Sequence, residues 1–523
     1  MKIYSFSPFG YEGALVTVEV DLRRGIPAID LVGLADGAVK EARERMQAAI
    51  RNSGFPFPPE RVLISLSPAD LKKEGAGFDL PIALGVLGAS AELSNTANFL
   101  PDPILVMGEL ELSGKVRAVK GVHAAVATAA SCGIMQCIVP ASNADEAMEV
   151  PGVRVYGADT LENAFRALSD PAFFMNRNIG RGAKDIPAGC EEKDGVFFAQ
   201  MQEGYEYAEI LGQRELIRAL QIAAAGGHNL LAVGAPGCGK TMAIQKFPAI
   251  NPVLTMEEAQ SVTRIWSLAG LIKPNNPLIR IPPFRIPHQT ASVEGMCGGG
   301  VNCRPGEISL AHNGVLFLDE AAEFRSSVLQ MLRVPLESES ITLSRAGRST
   351  TYPARFQLLM ATNPCPCGNY GSKTKICLCS GKSIDQYWKK FSAPLLDRID
   401  LRVFVENQSE TQEEIEQRKD LLTTEEIREG IARAVLAQRK RQGTKNARLS
   451  PQEILDYCVM EKDVRDVLDK AISRYGFSPR AISSCIKVAR TIADISGCEK
   501  IESLHLAEAV DFHKLCANMR PEL

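Results

Sequence analysis

One segment constrains this 523-residue chain more than any other. Leu230-Leu-Ala-Val233 runs directly into Gly234-Ala-Pro-Gly-Cys-Gly-Lys-Thr241, and Met242 to Lys246 then reads as a helix start. The apolar run has the shape of a buried parallel strand. The loop fits G-x-x-x-x-G-K-[ST] in full, in the strand–loop–helix order the pattern requires. Across Gly234, Ala235, Pro236, Gly237, Cys238 and Gly239 the backbone can turn its N–H groups onto phosphate oxygens, and the helix N-terminus adds its positive dipole end. Lys240 is expected to reach the β- and γ-phosphates of ATP, and Thr241 to place its hydroxyl on Mg²⁺.

Further segments extend this expectation. Val315-Leu-Phe-Leu-Asp-Glu320 reads as a central strand ending in two carboxylates, at the end of an open sheet where ligands bind. Asp319 suits the Mg²⁺ and Glu320 the attacking water. Phe356-Gln-Leu-Leu-Met-Ala361 is a third strand, ending in Thr362-Asn363. Asn363 can hydrogen-bond a nucleophilic water, although an Asn before Pro364 also starts turns. Arg398, in Pro394-Leu-Leu-Asp-Arg-Ile-Asp400, and Arg480, in Ser478-Pro-Arg-Ala-Ile482, carry guanidiniums that match phosphate geometry. Taken alone, either would read as a solvated surface charge.

At this length two to four domains are expected. Residues 1–170 read as an α/β unit: strands at Ala14–Asp21, Arg61–Leu66, Ile104–Gly108 and Cys137–Val139, helices at Asp36–Asn52, Leu80–Leu93 and Val122–Ala130. Residues 171–204 lose that rhythm and read as a linker. Residues 205–405 carry the chemistry. Residues 406–523 turn helical and charged, with Thr423, Ser450 and Ser478 as N-caps. The net charge of −3 gives no overall basic signature for nucleic acid, but a basic stripe can sit inside a neutral average. The first ten residues lack a signal peptide's apolar run, and the stretch near Leu80–Ala91 reads as too short to cross a bilayer. A cytoplasmic chain without membrane contact is expected. Its 14 cysteines would then be reduced; Cys132, Cys137 and Cys485 read as core.

Several long motifs carry a family resemblance. Phe284-Arg-Ile-Pro-His-Gln-Thr290, Pro305-Gly-Glu-Ile-Ser-Leu-Ala-His-Asn-Gly314, Asn363-Pro-Cys-Pro-Cys-Gly368, Leu395-Leu-Asp-Arg-Ile-Asp400 and Val488-Ala-Arg-Thr-Ile-Ala-Asp494 resemble the magnesium-chelatase-like AAA+ proteins of the ComM/YifB type. So do Gly33-Leu-Ala-Asp36 and Ser65-Leu-Ser-Pro-Ala-Asp70, so the likeness covers nearly the whole chain. Gln289 departs from it, standing where the family usually has a second His. The resemblance implies a P-loop AAA+ α/β core, a C-terminal helical lid and a Lon-protease-like N-terminal domain. It makes Asn363 a sensor 1, Arg398 a finger acting on the next subunit's ATP and Arg480 a sensor 2. It therefore implies a homo-oligomer, a hexamer above all. Gly75 and His123 occupy the positions of Lon's Ser and Lys, so a protease without its dyad is expected.

The resemblance further implies a DNA helicase or branch-migration motor in DNA uptake and recombination. The alternatives are a chelatase-type remodeller of a protein partner and a regulatory ATPase without DNA. Ile341 to Tyr352 reads as a hairpin with Arg345 and Arg348 near its turn; in related rings such a hairpin points into the pore, where both could grip DNA phosphates. A solvated hairpin tip is the other reading. Gly295 to Asn302 reads as a flexible loop, and Arg439-Lys-Arg441 as a solvated helix face. Cys365, Cys367, Cys377 and Cys379 are close enough in sequence to make a tetrahedral Zn²⁺ site, or a loop of free thiols.

Overall fold

The computed structural model describes residues 2–33, 37–69, 71, 73, 75–94, 99–100, 102–175, 189–210, 213–273, 276–300, 303–345, 348–371, 375–405 and 422–514. Asp36, Asp70, Asn302 and residues 176–188 of the expected linker lie outside the described residues.

The N-terminal unit is built on a seven-stranded mixed sheet. Its strands are β1 (Ile3–Ser7), β2 (Ala14–Arg23), β3 (Ile29–Val32), β4 (Arg61–Ser67), β5 (Ile104–Val106), β6 (Gln136–Pro140) and β7 (Arg154–Ala158), in the order β3-β4-β2-β1-β5-β6-β7. Helices α1 (Gly37–Asn52), α2 (Asp79–Ser94) and α3 (Val122–Ser131) accompany it. Residues 76–93 are apolar and long enough to pass for a membrane span by composition, longer than the sequence suggested. Most of that stretch is buried: Leu80, Ile82, Ala83, Leu84 and Val86 pack into this unit's core.

The second unit is a five-stranded, all-parallel sheet. A short hairpin precedes it, β8 (Cys190–Lys193) and β9 (Val196–Ala199). This hairpin falls in the stretch expected to be linker. It folds onto the second unit because Val196 and Phe198 are buried in that core, while the N–H of Val253 donates to the carbonyl of Phe197. The sheet strands are β10 (Leu230–Gly234), β11 (Phe284–Arg285), β12 (Val315–Leu318), β15 (Gln357–Thr362) and β16 (Leu401–Val405); β13 (Ser340–Arg345) and β14 (Arg348–Pro353) form a separate hairpin. Sheet order is β11-β12-β15-β10-β16. β10, β12 and β15 are buried throughout, as parallel strands covered on both faces should be. Leu230 and Ala232 face one core with helices α4 (Arg214–Gly226) and α5 (Lys240–Gln245); Leu231 and Val233 face another with Leu316, Leu358 and Met360. Helix α6 (Met256–Ala269) packs against α3 and joins the two units.

Over residues 422–514 the chain is helical: α7 (Thr424–Arg441), α8 (Pro451–Tyr457), α9 (Lys462–Tyr475), α10 (Pro479–Ile495) and α11 (Ser503–Lys514). Thr423, Ser450 and Ser478 accept a backbone N–H as N-caps, the first two within full capping boxes. Arg441 does not share the solvated face expected of its run. It turns inward onto Asp494, 2.8 Å away, and Asp494 also takes the buried Arg490. Within Gly295–Asn302, expected as a flexible loop, the described residues carry regular structure: Val293–Cys297 forms a helical turn and Gly298–Gly299 pairs with Arg304–Pro305. Cys137 and Cys485 are buried, but Cys132 is exposed at the end of α3.

Burial pulls the histidines His123, His312 and His513 from 6.5 down to about 4, about 3 and about 4. Each stays neutral in the fold and takes its proton only on unfolding. The unfolded chain therefore binds more protons between about pH 6.5 and about 4, so stability falls as pH drops through that window. Urea denaturation near pH 7 and near pH 5 should show a lower midpoint at the acid end; an equal or higher midpoint would contradict this burial.

Candidate functional site

Strand order decides what meets at the sheet's C-terminal edge. β15 lies between β10 and β12, with Val233 opposite Thr362 and Leu318 opposite Met360. Gly234, Asp319 and Asn363 therefore emerge side by side. Gly234 must be glycine, because a Cβ there would stand 2.3 Å from the carbonyl oxygen of Val405. Gly237 and Gly239 take φ of +80° and +85°, a region that glycine enters freely. Gly239 then serves as the N-cap of α5. Gln213, which no motif singled out, holds the loop from below through a 2.9 Å bond from its Nε2 to the carbonyl of Cys238.

Lys240 is buried, and its ammonium donates to the carbonyls of Gly234 (2.7 Å) and Ala235 (2.8 Å). The Thr241 hydroxyl donates to Asp319 Oδ1 at 3.0 Å, and the same oxygen accepts the N–H of Glu320 at 3.0 Å. These are hard oxygen donors, the kind Mg²⁺ prefers. Glu320 sits at φ +48°, a left-handed turn that carries its exposed carboxylate past the end of β12. Asn363 follows Thr362, whose hydroxyl meets that of Tyr387 at 3.1 Å. Such an edge can cradle phosphates, hold a divalent cation and present a carboxylate and an amide to a water.

The two arginines lie elsewhere. Arg398 precedes β16, and its carbonyl accepts from Asn229, the residue immediately before β10. It thus sits at the N-terminal edge of the sheet, a strand length of roughly 16 Å from the phosphate loop. Arg480, in the first turn of α10, shares that edge. Glu337 brings them together, with Oε2 on Arg398 and Oε1 3.6 Å from Arg480. The Arg398 guanidinium holds the Glu337 carboxyl below the ordinary carboxylate range. Both arginines line a pocket of about 280 Å³ with six cationic side chains and four carboxylates. Loss of water there, with Arg448 nearby, pulls Lys445 down to about 8. A pocket lined by more cations than carboxylates suits a phosphate. Glu337 and Lys445 carry no motif; only the fold places them beside Arg398.

Arg345 and Arg348 face each other as the last register pair of the β13–β14 hairpin; the two residues between them lie outside the described set. The sulfurs of Cys365, Cys367, Cys377 and Cys379 all fall within 4.8 Å of one another.

Family models match three stretches: the magnesium chelatase subunit ChlI model over residues 206–413, a ChlI subunit model over 18–143 and its C-terminal model over 422–513. Competence protein ComM of Haemophilus influenzae is 39% identical over 98% of this chain and 97% of its own length. The chain belongs to the ComM/YifB family of magnesium-chelatase-like AAA+ proteins. YifB of Escherichia coli is 38% identical, again over 98% of the chain and 97% of its own length. The magnesium-chelatase 38 kDa subunit of Acidiphilium rubrum shares 28% identity over only 31% of the chain and 53% of its own length. An AAA+-like ATPase is what this membership supports, as the sequence motifs implied.

If Glu320 activates the water, Glu320→Gln should still bind ATP but turn it over about 10²-fold more slowly. A phosphate-release assay with a parallel ATP-binding titration checks this; normal turnover would remove Glu320 from the chemistry.

Proposed function

We propose that this chain is one subunit of an ATP-hydrolysing ring, most simply a hexamer. Gly234 to Lys240 hold the triphosphate, Thr241 and Asp319 the Mg²⁺, and Glu320 and Asn363 the attacking water. Arg398 and Arg480 reach the γ-phosphate bound by an adjacent subunit. The observation that carries this is the separation of the two halves across the sheet: within one chain, both arginines stand at the edge opposite the phosphate loop. The family resemblance implied the adjacent-subunit role for Arg398 alone; the pocket they share supports it for Arg480 as well. Arginine placed on a transferring phosphoryl group is worth about 10³ to 10⁵ in rate in the systems where it has been measured.

The ring's track is DNA, single-stranded or branched, which it moves in branch migration or unwinding during DNA uptake and recombination. Full-length likeness to a protein called competence protein supports this, as does the arginine pair at the hairpin tip. A chelatase-type remodeller is the second reading, supported by likeness to a chelatase subunit over under a third of the chain. The N-terminal domain is taken as a Lon-type fold without proteolysis. Gly75 offers no nucleophile, and His123 is buried with Nε2 2.7 Å from Gln260 of the ATPase core, which suits assembly rather than proton transfer. The protein is taken to work in the cytoplasm, and its four clustered thiolates are taken to hold zinc.

ATPase rate with and without single-stranded and forked DNA, together with strand displacement, tests the track. DNA should stimulate hydrolysis several-fold and forks should be unwound, while casein stays intact. Neither binding nor stimulation by any DNA would sink the DNA reading.

A further inference from the structure

The four-cysteine loop begins immediately after Asn363 and Pro364 and ends before the helix at Gly381–Trp388. Its sulfurs approach one another as a coordination shell would. Cys365 is 3.4 Å from Cys367 and 3.7 Å from Cys377, and Cys367 is 3.6 Å from Cys377. A tetrahedral zinc with bonds of about 2.3 Å places its sulfurs about 3.8 Å apart, so these three need to open by only a few tenths of an ångström, and the Cys379 sulfur lies within 4.8 Å of each. Backbone N–H groups point at the sulfurs, from Tyr370 to Cys365 at 3.4 Å and from Asn369 to Cys367. Donors of that kind surround and stabilise metal-bound thiolates. Cys365 is fully buried, the other three are partly or wholly exposed, so an ion has a route in.

The loop does not stand apart from the nucleotide site. Gly368, at φ +77°, lies flat against Pro236 of the phosphate loop; a Cβ on Gly368 would be 2.4 Å from Pro236 Cδ. At its other end the loop leaves β15 through Asn363, where the Trp388 indole N–H donates to the Pro364 carbonyl at 3.0 Å. Residues between two cysteine pairs that were not joined would be free to move away from Pro236. Four thiolates on one ion close that loop.

We infer that Cys365, Cys367, Cys377 and Cys379 bind one Zn²⁺, and that the loop this ion closes braces Pro236, making nucleotide affinity depend on the metal. The inference rests on the ATP-binding reading of the phosphate loop and extends it to a metal-dependent wall of the same site.

The test uses the full chain. Elemental analysis gives zinc per chain, and a fluorescent ATP analogue gives nucleotide affinity on the same sample, before and after zinc removal by a strong chelator and after zinc is restored. About one zinc per chain is expected. Its removal should weaken analogue binding by about tenfold, the order set by closing a loop of this size, and restoration should recover it. The double change Cys377→Ser with Cys379→Ser should lose both together, with circular dichroism confirming that the helices persist. Gly368→Ala should keep its zinc yet bind the analogue more weakly, because the left-handed backbone and the contact with Pro236 both resist a Cβ. Zinc well below one per chain in protein that binds the analogue overturns the metal site. Full zinc whose removal leaves affinity unchanged overturns the brace. Full zinc with no analogue binding overturns the nucleotide reading and the brace with it.

Discussion

One strand sets the geometry on which the rest depends. β10 is five residues long, and its two ends carry opposite halves of the candidate ATP site. Its C-terminal end opens into the phosphate loop. At its N-terminal end Asn229 ties three neighbours: its Oδ1 accepts from Leu358 of β15, its Nδ2 donates to the carbonyl of Arg398, and its backbone N–H donates to Asp400. Asp400 in turn accepts from Ser484 of α10, the helix whose first turn bears Arg480. The arginines are thus fixed relative to the loop through a short joint held by these hydrogen bonds. A rigid strand makes a poor tether for two groups that must meet, but a good spacer for two groups that must meet a neighbour.

The N-terminal unit is bonded to the ATPase core through a compact polar patch. Glu146 is buried and accepts from the backbone of His123, the amide of Asn143 and the hydroxyl of Ser267 on α6. A buried carboxylate needs such donors, because taking its charge out of water is otherwise too costly. Arg264, also on α6, donates to the carbonyls of Tyr11 and Glu12. The N–H of Tyr11 then donates to Thr350 on β14, so the N-terminal unit touches the hairpin that presents Arg345 and Arg348. A movement of that hairpin would be felt directly by the first unit.

Local signals were the legible ones. The phosphate loop, the apolar strands at Leu230 and Val315 and the caps at Thr423, Ser450 and Ser478 each rest on a few adjacent residues whose chemistry admits little choice. What escaped the sequence depends on residues far apart in the chain. Glu337 is an ordinary acidic residue until the fold sets it between Arg398 and Arg480. Cys132 looked like core because its neighbours are small and apolar, yet it ends its helix facing water. The hairpin at Cys190–Ala199 was hidden by its polar strand, since only Val196 and Phe198 turn inward. The family resemblance supplied the adjacent-subunit role of Arg398; the distance between the sheet's two edges extends the same argument to Arg480.

A mixing experiment bears most directly on the shared site. Lys240→Ala chains lack the phosphate grip but keep Arg398; Arg398→Ala chains keep the grip but lack the finger. Each should be nearly inactive alone. Combined under conditions that support the ring, an intact loop on one subunit meets an intact Arg398 on the next, and ATPase activity should return to a measurable fraction of the native rate. Mixed oligomers that form but recover no hydrolysis would contradict a site shared between subunits.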